Sequence, residues 1–198
     1  MGKFIGILVL LVIIGSFMAD KEEKSGGSSN SVSNSKPSKT VIPISDQQKK
    51  FIEIINNFKS DYGNAKNELK KSALRTKRKK ALAELFGNDL SVQFVGKINR
   101  LSTTREQNAH LSISLLGTNY ITISNWNNEM SDIGTESLIK SGSSLYDTVA
   151  DLGEDITVKF TGSLFSDSDD HIEEKSISES GSMTDPEFLI KFSSIEKQ

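Results

Sequence analysis

The sequence predicts an α+β protein that is mainly β: a five-stranded barrel preceded by a long amphipathic helix and an N-terminal membrane segment. Three observations predict it. From residue 90 onward, apolar residues alternate with polar ones in five short runs. Between residues 45 and 86 the apolar spacing is three and four, the signature of one helix face. Residues 4–19 carry no charge at all. The chain therefore divides into a membrane segment (1–19), a disordered linker (20–44), an amphipathic helical segment (45–87) and a barrel (88–198).

The membrane segment opens with Met1-Gly2-Lys3, and Asp20-Lys21-Glu22-Glu23-Lys24 closes it abruptly. A spanning helix needs about 20 residues, and a signal peptide's apolar core about 7–15. The uncharged run falls between the two. Its best cleavage site, Phe17-Met18-Ala19, puts a bulky phenylalanine where a small residue is wanted, and the chain has no cysteine to carry a lipid. An uncleaved signal anchor is expected, with a cleaved signal peptide as the alternative. The location implied is the bacterial inner membrane, single-pass and facing the periplasm, or the periplasm itself after cleavage. The partner at residues 4–19 is thus the membrane. Lys3 on the inner side fits that orientation.

Zero cysteines exclude disulfides, thiol catalysis and thiolate metal sites together. In residues 20–40 Val32 is the sole aliphatic residue, amid Ser, Gly, Asn and Lys. Such a stretch cannot bury enough surface to offset its ordering entropy, so it reads as a flexible tether.

Ser45 with Gln48 forms a capping-box signature, with Pro43 just before it. Phe51, Ile54, Ile55, Phe58, Tyr62, Ala65 and Leu69 make one stripe down the expected helix. Gly63-Asn64 weakens it locally, and Gly87-Asn88 stops it. The stripe needs a cover: either the following domain, or a protein partner or second copy in a coiled coil. Lys70, Lys71, Arg75, Lys77, Arg78, Lys79 and Lys80 crowd its second half.

The strand-like runs are Leu90 to Ile98, Leu111 to Leu115, Ile121 to Ile123, Ile156 to Phe165, and Phe188 to Phe192. A short helix, residues 143–153, separates the third from the fourth, with Leu145, Val149 and Leu152 on one face. Gly96 and Gly162 lie inside strands, where a small barrel needs sharp bends. Phe94-Val95-Gly96-Lys97-Ile98 and Asp155-Ile156-Thr157-Val158-Lys159-Phe160-Thr161-Gly162 carry a resemblance to the first and fourth strands of bacterial OB-fold-like domains. That resemblance covers residues 90–195. It implies a five-stranded Greek-key barrel and says little about activity, because such barrels bind nucleic acid, sugar and protein alike.

The chemistry is sparse. There is no G-x-S-x-G, no H-E-x-x-H and no phosphate-cradling glycine loop. The reading assigns no catalytic residue, no cofactor and no metal. His110 reads as a surface or rim residue. Asp167, Asp169, Asp170, His171, Glu173 and Glu174 read as a solvated acidic hairpin tip, lacking the turn glycine of a calcium loop. Trp126 reads as core or as the stacking surface of a ligand face, beside the polar loop at Ser131-Asp132.

Charge is unevenly spread. Residues 41–90 hold 11 Lys+Arg against 6 Asp+Glu, whereas residues 91–198 hold 8 against 17. A nucleic-acid-binding barrel carries positive charge on its own face, so nucleic acid is disfavoured here. The basic end of the helix reads either as a solvated face or as a docking face for one of three surfaces: the acidic barrel, an anionic lipid surface or an acidic partner. Trp126, Lys77, Arg78, Lys79 and Lys80 are the candidate ligand or partner face. The function this supports is a non-enzymatic OB-like binding or interaction module of the bacterial envelope. The alternatives are a nucleic-acid-binding protein acting through residues 66–80 and a cation-assisted hydrolase.

Overall fold

The computed structural model describes residues 42–198. The apolar segment and the linker through residue 41 lie outside the described residues, as do the expectations placed on them. Among the described residues, no helix is long and apolar enough to cross a membrane.

Two helices, α1 (Asp46–Asn64) and α2 (Glu68–Phe86), stand where one long helix was expected. The break follows Gly63-Asn64 directly. Ala65 leaves the helix in extended backbone, and the Asn67 side chain accepts from the Lys70 amide at 2.9 Å to cap α2. The apolar stripe splits with the helix. Phe51, Ile55 and Tyr62 are buried, but Leu69 is 84% exposed. The new helix sets its own phase through Arg78, Leu82 and Phe86, four residues apart and all buried. Leu69 falls on the opposite side of that helix.

The stripe on α1 is covered by the chain's own barrel. The Phe51 ring lies 5.0 Å from Phe188, 5.6 Å from Phe94 and 5.7 Å from Phe86. Burying it therefore requires neither a coiled coil nor a second copy. Ser45 caps α1 as expected, accepting from the Gln48 amide at 3.1 Å. The Gln48 side chain does not complete the capping box. Fully buried, it donates to the carbonyls of Val95 (2.8 Å) and Leu116 (3.1 Å) and accepts from the Val95 amide (2.7 Å).

The barrel strands are β1 (Ser91–Thr103), β2 (Ala109–Leu115), β3 (Thr122–Ser124), β4 (Thr157–Leu164) and, after an insertion, β7 (Glu187–Lys197). They close in the order β1-β2-β3-β7-β4, with β3 and β7 parallel and the other pairs antiparallel. This closed mixed barrel is compatible with an OB-like pattern. The short helix α3 (Ser144–Ala150) lies between β3 and β4, as the spacing predicts, and Val149 enters the core.

Gly96 and Gly162 occupy the close approaches expected of them. A Cβ on Gly96 would stand 2.5 Å from the Ser114 carbonyl, and one on Gly162 would stand 2.5 Å from the Lys191 carbonyl. Gly162 also marks the register shift between β4 and β7.

The insertion between β4 and β7 holds the acidic hairpin expected there, together with a helix that no sequence pattern announced. It contains a hairpin, β5 (Ser166–Asp167) with β6 (His171–Ile172), and a short helix α4 (Glu179–Thr184). Between them, residues 173–177 form a strap whose first three residues run in extended backbone beside the start of β7. The Lys175 amide donates to the Glu187 carbonyl at 2.7 Å, and the Leu189 amide donates to the Glu173 carbonyl at 3.0 Å.

Candidate ligand cleft

Strand alternation decides which β2 side chains face outward. Leu111, Ile113 and Leu115 are fully buried in the core, so His110, Ser112 and Ser114 point away from it. Outside β2 lies an open cleft of about 630 Å³, lined by Asn99, Arg100, His110, Ser112, Trp126 and Asn127, and on its far side by Lys175, Ile177 and Glu187. It gathers residues from β1, β2, the segment after β3, the inserted strap and the start of β7. Only tertiary structure could assemble that set.

His110 is the buried centre of this site, not the surface residue expected. Its Nδ1 lies 3.1 Å from Asn125 Oδ1 and 3.2 Å from the Trp126 carbonyl. Asn125 is fixed in turn. Its Oδ1 accepts from the Leu111 amide at 2.8 Å, and its Nδ2 donates to the Ala109 and Ser137 carbonyls. Both neighbours of Nδ1 are therefore acceptors, so this network assigns the imidazole proton to Nδ1. Nε2 keeps its lone pair for the cleft. Burial, reinforced by the nearby Lys175 cation, lowers the His110 pKa below its ordinary value. The ring is neutral at pH 7.

Lys175 is held as a strut. Its Nζ donates to Ser124 Oγ (2.7 Å), the Asn125 carbonyl (2.9 Å) and Glu187 Oε1 (2.8 Å), which uses all three ammonium protons. The same Nζ stands 5.5 Å from the centre of the Trp126 ring. Burial pushes the Glu187 carboxyl up, but hydrogen bonds from Lys175 and Ser124 outweigh it and hold the pKa below the ordinary glutamate value. Arg100 forms no ion pair with another described residue. It is the uncommitted cation of the cleft.

Trp126, the one aromatic residue named from sequence as a ligand surface, is half-buried and lines this cleft. The adjacent loop is structural instead of ligand-facing. Asp132 is buried and accepts from the Ser137 amide, Ser137 Oγ and Thr135 Oγ1, which closes the turn.

The four basic candidates do not act together. Lys77 and Lys80 are exposed and Lys79 is intermediate, but Arg78 is only 1% exposed. Arg78 sits inside the molecule, where it pairs with Glu174 and donates to the Ser182 carbonyl at 2.5 Å and Ser182 Oγ at 2.9 Å. Arg75 grips both carboxylate oxygens of Asp170. The basic helix thus docks on the acidic insertion of its own chain, the first of the three outcomes expected from the charge split.

The acidic hairpin is accordingly not a solvated tip. Asp167 Oδ1 accepts from the Asp169 and Asp170 amides at 2.7 Å each and builds the turn. Asp170 is buried, and the Arg75 hydrogen bonds and charge overcome desolvation to keep its pKa low. Glu174 is also buried, and desolvation outweighs the Arg78 charge, pushing its carboxyl up to about 7. Among the described residues, no group of three or more His, Cys, Asp or Glu is arranged to hold a metal ion.

Extended backbone sends consecutive side chains to opposite sides, so Glu174 faces α2 while Lys175 faces the cleft. One dipeptide thereby links the buried Arg78–Glu174 pair of α2 to the cleft. No sequence signal marked Lys175, Glu187 or Asn125. Alternation around Leu111 was the one clue available for His110. The chain matches no protein-family model, no curated protein and no solved structure.

Proposed function

We propose that this protein is a non-enzymatic binding module of the OB type, anchored in or released from a bacterial inner membrane on its periplasmic side, and that its ligand is a saccharide. One observation carries the reading. The outer face of the barrel holds a cleft of about 630 Å³ in which an indole lies among neutral and charged hydrogen-bonding groups. Sugars need this combination: a flat apolar surface under the ring's C–H face, and donors and acceptors around its hydroxyls. Neutral His110 offers an acceptor at Nε2, Asn99 and Asn127 offer both roles, and Arg100 can read a carboxylate. The acidic balance of residues 91–198 further disfavours a polyanionic nucleic acid as ligand. The apolar run at residues 4–19 and the absence of cysteine support the envelope address.

Trp126 is the sole tryptophan of the chain, so its fluorescence reports the cleft directly. Titration with neutral and uronic-acid-containing oligosaccharides is expected to shift its emission saturably. Arg100→Gln should weaken the acidic sugars selectively, and His110→Ala should weaken both. A spectrum indifferent to every oligosaccharide, in a chain whose thermal unfolding is normal, would sink the saccharide assignment.

A further inference from the structure

α2 carries cations on two faces with different fates. On the inner face, Lys71 pairs with Glu68 at 3.0 Å, Arg75 with Asp170 and Arg78 with Glu174. Helical spacing places Lys70, Ala73, Lys77 and Lys80 on the outer face, with Lys66 just before the cap and Leu69 beside them. Those lysines are exposed, as is Leu69. None of Lys66, Lys70, Lys77 and Lys80 pairs with another described residue. Two carboxylates share this side: Glu84 near its end, and Asp61, which shares a shallow groove with Lys70 and Lys77.

We propose that the outer face of α2 is a docking surface for an anionic lipid bilayer, with the four lysines on the headgroups and Leu69 in the interface. The sorting of residue types favours this occupant. The arginines, whose planar forks suit fixed carboxylate partners, are both paired on the inner face. The outer face keeps flexible ammonium groups suited to mobile headgroups. An exposed leucine among lysines is the composition of an interfacial helix. The occupant also follows from the tether, and to that extent the inference rests on the reading of residues 4–19 as a membrane anchor. Residues 20–45 separate that run from α1. For a Ser- and Gly-rich composition of that length, polymer statistics give a mean end-to-end distance of about 30 Å, and a span that short makes a weak patch effective.

The chain has no cysteine, so a single reporter can be placed cleanly. Thr76→Cys carries a fluorophore on the outer face of α2, and Ser163→Cys carries it on the exposed surface of β4. The full chain is mixed with vesicles of phosphatidylcholine, or of phosphatidylcholine with one-third phosphatidylglycerol, each containing a headgroup-attached quencher. Quenching at position 76 is expected in the anionic vesicles only, to fade at high salt, and to be absent at position 163. Changing all four lysines to Gln should lower the docking equilibrium on the order of 1000-fold. Retention on phosphatidylcholine vesicles reports the tether separately. If retention fails but position 76 is still quenched on anionic vesicles, docking stands without the anchor. Equal quenching on both lipids would overturn the proposal. So would a lysine-dependent shift of an oligonucleotide, or lysine-dependent binding to an acidic protein, with no lipid dependence.

Discussion

Gln48 shows how much one side chain can organise. It satisfies three backbone groups of the barrel from a neighbouring helix, at 0% exposure. Gln48→Leu keeps the volume but leaves those groups unpaired in a dry site. The expected cost is about 2–4 kcal/mol, measured by chemical denaturation. Glycines make a sharper contrast. Gly162→Ala drives a methyl into the Lys191 carbonyl and should cost about 1–3 kcal/mol. Gly63→Ala meets nothing within 4 Å, lies inside α1, and should stabilise by about 0.5–1 kcal/mol. Equal effects at the two sites would show that strand crowding is not what Gly162 relieves.

At the scale of elements, α2 and the strap form one unit. The inner face of α2 is mixed: Leu82 and Phe86 enter the core, and Arg78 is buried one turn before Leu82. Ion pairs therefore locate this helix as much as apolar area does. At pH 8, where Glu174 is ionised, Arg78→Met leaves it buried without its cation and should cost about 3–5 kcal/mol. The double change Arg78→Met with Glu174→Leu should recover a large part of that loss. A double-mutant cycle giving no coupling energy would mean the pair does not hold strap to helix. Because Lys175 follows Glu174 directly, the single variant should also disturb Trp126 fluorescence, while the double variant restores it.

For the whole molecule, the perturbed groups predict a signed pH dependence. Glu174 has a folded pKa of about 7 against an ordinary 4.5, so the native state holds the extra proton between those values. Its contribution is full below about pH 4.5 and is lost as pH rises toward 7. His110 acts oppositely. Its folded pKa lies below 6.5, so its neutral burial is penalised in acid and stability recovers as pH rises toward 6.5. The stability difference between the wild type and Glu174→Gln isolates the first group. That difference should fall by on the order of 2–3 kcal/mol between pH 5 and 7.5. Urea unfolding at several pH values reads it, and a flat difference would place an ionised Glu174 in the native state.

Local, periodic features were legible in the order of residues alone. Five alternating runs, the helix before the fourth strand and two strand glycines foretold the closed barrel, because side-chain period and backbone crowding are local consequences of residue type. Trp126 was legible as a ligand-face candidate for the same reason: its chemistry travels with the residue. Tertiary structure decided what depends on residues far apart in the chain. It turned Arg78 inward to Glu174 and buried His110 against Asn125. It also gave Lys175 three acceptors, on Ser124, Asn125 and Glu187. A charge run such as 75–80 looks uniformly solvated in one dimension. Only the packed insertion supplies the carboxylates that pair Arg75 and bury Arg78 while Lys77 and Lys80 stay in water, since the free energy of a charge is set by what surrounds it.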